Sequence, residues 1–82
     1  MTDAGDLRPR KRSVTLRGHR TSVSLEDAFW TELLRLSAER GLSVNALVSE
    51  IDEARGLRSG LASAIRVYVL REAIAQRGSS ES

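Results

Sequence analysis

The stretch HRTSVSLEDAFWTELLRLSAERGLSVNALVSEI, residues 19–51, decides the fold. Thr21, Val23 and Leu25 take alternate positions at its start, the period of a strand with one buried face. From Glu26 the period changes. Phe29, Trp30, Leu33, Leu34, Ser37 and Ala38 recur at spacings of three and four, which makes one face of a helix over 26–40. Ser24, or the residue after it, is placed to cap this helix, and Glu26 and Asp27 suit its positive end. Gly41 stops it in a left-handed conformation. Ser43 then caps a second helix over 43–55, its hydroxyl placed to accept from the amide of Asn45 or Ala46. Val44, Leu47, Val48, Ile51 and Ala54 form the apolar stripe, and Gly56 ends it.

Outward from this block the pattern continues in both directions. Upstream, Val14 and Leu16 alternate with polar neighbours. Gly18 divides them from the next stretch as a turn or a bulge, so the strand region 13–25 is either a hairpin or one irregular ribbon. Downstream, a short link from Leu57 to Gly60 leads to a third helix over 60–76. Leu61, Ala64, Ile65, Val67, Tyr68, Val69, Leu70 and Ala73 or Ile74 make it apolar over more than one face. The fold class is mainly α with a short β-ribbon. A lone strand has unpaired edges and cannot persist in water, so if only one forms it pairs with a second copy of the chain.

Size points the same way. The chain has 82 residues, one of them histidine and none cysteine. Residues 1–12, with Pro9 and a basic run, are expected as a flexible arm, and 77–82, RGSSES, as a disordered tail. Roughly 60 residues then remain, a size at which a single core is marginal without disulfides, metal or oligomerisation. The composition removes disulfides and thiolate metal sites, and one histidine builds no zinc site. No metal and no cofactor are expected. No apolar run approaches the ~18 residues of a membrane span, and MTDAGDLRPRKR lacks the apolar core of a signal peptide. A cytoplasmic protein without membrane association follows.

The formal net charge of +2 is unevenly distributed. Residues 1–20 carry six cations against two acids, and residues 21–82 carry seven against nine. The basic N-terminal part suits a polyanion, or simply a solvated tail.

Strand, helix, glycine turn and serine-capped helix is the order of the ribbon-helix-helix fold. The segment from Thr21 to about Glu53 resembles the Arc and MetJ repressor superfamily, most closely in AERGLSVNALVSEI, residues 38–51. RSVTLRGHRTSVSLEDAFW and SVNALVSEIDEAR are similar to a family of short bacterial ribbon-helix-helix proteins of poorly defined role, over about residues 12–75. The resemblance implies a homodimer with intermolecular antiparallel strands and an added C-terminal helix, its ribbon in the major groove of double-stranded DNA. Higher-order assembly on DNA is left open. With Val23 and Leu25 facing the helices, Arg20, Ser22 and Ser24 face out as base contacts. Arginine is a strong guanine reader and serine a weak one. The free amides of Val44 and Asn45, with the Ser43 and Asn45 side chains, suit a phosphate. Arg10, Lys11, Arg12 and Arg17, together with Arg8, are further phosphate candidates. Val23, Leu25, Phe29, Trp30, Leu33, Leu47 and Ile51 are the expected dimer core.

Other residues have ordinary readings. His19 lies at the ribbon, exposed or tied locally to the turn. The Tyr68 hydroxyl is expected at the surface. Glu50, Asp52 and Glu53 read as a solvated helix face without a histidine, cysteine or lysine beside them, so no catalytic residue is expected and the chain is not an enzyme. LASAIRVYVLREAI, residues 61–74, also fits the helix that follows a ribbon helix, although the spacing from the strand favours Ser43 as the cap. The leading expectation is a DNA-binding transcriptional regulator. The alternative is an antitoxin or protein-interaction adaptor on the same fold, with a protein partner on the last helix and little or no DNA binding.

Overall fold

The computed structural model describes residues 7–55 and 60–80. Two strands, β1 (Arg10–Leu16) and β2 (His19–Leu25), are followed by α1 (Asp27–Glu39), α2 (Val44–Ala54) and α3 (Leu61–Ser80). The expected link around Gly56, Leu57 and Ser59 and the ends at 1–6 and 81–82 lie outside the described residues.

The strand region is a hairpin. β1 and β2 pair antiparallel, with Leu16 opposite His19 and Arg10 opposite Leu25. Arg17 and Gly18 form the two-residue loop, with φ of 54° and 80°. Two successive positive φ values give a turn whose twist matches that of the strands it joins. The strand therefore starts at Arg10, and Arg10, Lys11 and Arg12, expected in a flexible arm, are paired backbone.

Helix boundaries follow local chemistry. The N-cap of α1 is Glu26, without a side-chain cap bond, so Ser24 stays in the strand rather than capping. At the other end Gly41, at φ 70°, donates to the Ala38 carbonyl and Leu42 donates to that of Ser37 at 2.9 Å. This paired closure needs the left-handed residue that glycine supplies. The Ser43 hydroxyl caps α2 by accepting from the Ala46 amide at 3.0 Å. α3 runs through Arg77 to Ser80, where a disordered tail was expected.

The helices pack under one face of the hairpin, α2 against β1 and α3 against β2. Val14 and Val23 from the hairpin meet Leu33, Leu36, Leu47, Val48, Ile65 and Val69 in one apolar cluster. Five of the residues expected at a dimer core, Val23, Leu25, Leu33, Leu47 and Ile51, are buried within this single chain. Phe29 and Trp30 are half-buried against the same cluster. β1 supplies Val14, and α3 supplies Ile65 and Val69, so a partner is not needed to cover them.

Candidate nucleic-acid interface

Side chains alternate across a pleated strand. In β1, Arg12, Val14 and Leu16 turn toward the helices, and Lys11, Ser13 and Thr15 turn away. In β2, Val23 and Leu25 turn inward, and Arg20, Ser22 and Ser24 turn away. The register sets the outward residues directly opposite one another: Lys11 against Ser24, Ser13 against Ser22, and Thr15 against Arg20. All six are exposed. The face carries two cations, four hydroxyls and no acid. Every one of its side chains can donate a hydrogen bond.

Arg20, Ser22 and Ser24 therefore stand on one surface, as read from the sequence. Ser13, Thr15 and Lys11 join them. The alternation of SVTL would have located Ser13 and Thr15 had a hairpin been chosen over an irregular ribbon.

The other basic candidates go elsewhere. Arg12 is turned under the sheet, where its guanidinium is hydrogen-bonded and ion-paired to Asp27 and lies 5.3 Å from the centre of the Trp30 ring. Arg10 approaches the same carboxylate at 3.6 Å. Arg17 leans from the turn toward Asp52 and Glu53 at 3.8 and 3.9 Å. Of the five predicted phosphate cations, Arg10, Arg12 and Arg17 thus sit near acids of the chain itself, and Lys11 joins the outward face.

The start of α2 lies beside the turn end of this face. Its first amides, Val44 and Asn45, have no acceptor within the helix. The Asn45 side chain is already engaged: its Oδ1 accepts from the Thr15 amide at 3.1 Å. Ser43 Oγ is used in its own cap. What remains for an anion is the pair of amides, the Asn45 Nδ2 donor and the positive end of the helix dipole.

α3 is tied to the hairpin at the opposite end. Arg66 donates to Glu26 at 2.9 and 3.2 Å and reaches the Ser24 carbonyl at 3.5 Å. This guanidinium holds the Glu26 carboxyl below the usual carboxylate range. Arg40 at the end of α1 donates to Glu50 at 3.0 Å and to the Tyr68 hydroxyl at 3.3 Å, joining all three helices. The acids Glu50 and Asp52 are thus structural partners of Arg40 and Arg55. Among the described residues no cluster of histidine and acids could hold a metal ion. No helix among the described residues is long and apolar enough to cross a membrane.

Residues 9–73 match the family model of the ribbon-helix-helix domain, a non-enzymatic fold common in DNA-binding regulators and antitoxins. The solved structure of an uncharacterized protein from Bordetella pertussis Tohama I is similar, with a TM-score of 0.79 at 29% identity. The match covers 95% of this chain and 66% of that one, so the chain spans about two thirds of that protein's length. No curated protein matches the chain. By sequence over 9–73 and by its two-stranded ribbon followed by helices, the chain belongs to the ribbon-helix-helix domain family.

Proposed function

We propose that the chain is a DNA-binding transcriptional regulator that acts as a homodimer and reads double-stranded DNA with the outward face of its hairpin. The acid-free face of Lys11, Ser13, Thr15, Arg20, Ser22 and Ser24 carries this reading. Two copies would join along the outer edge of β2, where Arg66 reaches only the Ser24 carbonyl at 3.5 Å, giving the strand order β1-β2-β2-β1 across the pair.

Dimensions divide the labour. Four strands at about 4.8 Å spacing span about 14 Å, more than the ~12 Å width of the major groove. The two central strands then enter, and β1 lies toward the groove walls. Arg20 is the base reader, with Ser22 and Ser24 as weaker contacts. Lys11 meets phosphate, as do the Val44 and Asn45 amides beside Thr15. Cytoplasmic action and association with DNA rather than membrane belong to the same reading. A mobility-shift titration tests it. Arg20→Ala should cost about 1–3 kcal/mol at a specific site and little on random DNA, whereas Lys11→Ala should weaken both and flatten the salt dependence. Unchanged affinity in both variants refutes it.

A second reading is favoured by α3. Val67, Leu70 and Ile74 are 47%, 57% and 50% exposed and share one face pointing away from the core. That stripe suits a protein partner, as in an antitoxin or adaptor. Loss of partner capture in Leu70→Lys, with DNA affinity absent from the start, would select it.

A further inference from the structure

A two-stranded sheet has two outer edges, and they differ here. Across a two-residue turn the facing pairs alternate between those that exchange backbone bonds and those that do not. Leu16 with His19, Val14 with Thr21, and Arg12 with Val23 exchange them. The amides of Lys11, Ser13 and Thr15 therefore point away from β2, and those of Arg20, Ser22 and Ser24 point away from β1.

At the β1 edge the Thr15 amide is taken by Asn45 Oδ1 at 3.1 Å. α2 packs against β1, and Asn45 stands in its first turn, just after the Ser43 cap. At the β2 edge, among the described residues, the outward amides of Arg20 and Ser22 meet no such side chain. Open strand edges recruit further strands. At β1 a helix side chain takes an outward amide, whereas at β2 Arg66 reaches only the Ser24 carbonyl, at 3.5 Å, and takes no outward amide.

We infer that Asn45 is an edge guard: by occupying the Thr15 amide it blocks lateral strand pairing at β1 and limits association to β2. The inference rests on the proposed dimer only for the starting assembly state. The Asn45 contact at the Thr15 amide is a property of one chain. It also gives Asn45 a role other than the phosphate contact suggested by its place at a helix start. The side chain spends its oxygen on the sheet and keeps only its amide donors.

The test combines amide exchange with solution mass. In the wild-type chain the Thr15 amide exchanges more slowly than those of Lys11 and Ser13 on the same edge, by about tenfold, as one hydrogen bond predicts. Asn45→Ala removes that difference and raises the assembly beyond the wild-type state in a concentration-dependent way. Asn45→Asp keeps an acceptor and keeps the wild-type mass. Adding Ser13→Pro to Asn45→Ala, which removes an outward amide without touching the hairpin's own bonds, returns the mass to wild type. If the wild-type chain is a monomer, the dimer reading fails, and the guard then predicts new pairs for Asn45→Ala. Thr15 exchange as fast as that of Ser13, an unchanged mass in folded Asn45→Ala, or equal growth in Asn45→Asp each overturns the inference. Should Asn45→Ala lose its helical circular dichroism, wild-type exchange and Asn45→Asp still decide.

Discussion

The Arg12 guanidinium passes beneath the hairpin to the Asp27 carboxylate in the first turn of α1. It couples the first strand to the first helix, and the Trp30 ring stands behind it. Its side chain is only 16% exposed. A charge so nearly buried needs its partner. Arg12→Ala should destabilise the chain by about 1–3 kcal/mol in urea unfolding and shift Trp30 fluorescence to longer wavelength. Arg12→Met, which keeps the apolar stem over the ring, should lose less.

The turn offers a gain. Arg17 holds a positive φ that costs a residue with a β-carbon about 1 kcal/mol. Asn tolerates this conformation better, and Gly adopts it freely. Arg17→Asn should raise stability by about 0.5–1 kcal/mol in urea unfolding, with the loss of the loose approach to Asp52 and Glu53 offsetting little of it.

Gly41 should be intolerant in the opposite sense. A β-carbon there meets no atom within 4 Å, so space is not the obstacle. The positive φ is. Gly41→Ala should cost about 1–2 kcal/mol, and Ser43→Ala, which removes the α2 cap, about 1 kcal/mol. Thermal melts of the two single variants check both values.

Acid should loosen the α3 tether. Hydrogen bonding to Arg66 lowers the Glu26 pKa on folding, and Arg35 does the same for Glu32. A carboxyl with a depressed folded pKa stabilises fully above its unfolded value, and this contribution disappears as pH falls through the folded value. Melting temperature measured from neutral pH down to about 3 should fall less steeply in Glu26→Gln than in the wild type.

Core and surface should separate clearly along the apolar residues. Leu33 is fully buried, and Leu33→Ala should cost about 2–5 kcal/mol. Leu70 faces outward, and Leu70→Ala should change stability by no more than about 0.5 kcal/mol. Denaturant midpoints of the two variants give the comparison.

The helices were legible because their signals are local. Ser43 and Gly41 act through their own backbone and predict boundaries within a residue or two. Val23 and Leu25 were legible by alternation. β1 was hidden at Arg10 and Arg12, whose inward side chains are charged and break the apolar period that marks a strand. Their neutralising partner, Asp27, lies across the fold and leaves no trace in the local pattern. Burial of Leu47 and Ile51 was foreseen, but the covering surface was assigned to another chain. A small segment with a broad apolar helix fits either answer, and within this chain Val14, Ile65 and Val69 supply part of the cover. The outward triplet of Arg20, Ser22 and Ser24 followed from the strand period. Its extension to Lys11, Ser13 and Thr15 required the register.

The core is closed within each chain, and this changes how a pair would live. Where partners interlace their cores, trading one subunit for another demands unfolding. Here two copies joined at β2 could part by releasing strand-edge bonds alone. Labelled and unlabelled copies should then scramble faster than either unfolds, and related chains with a similar β2 edge could form mixed pairs without being made together.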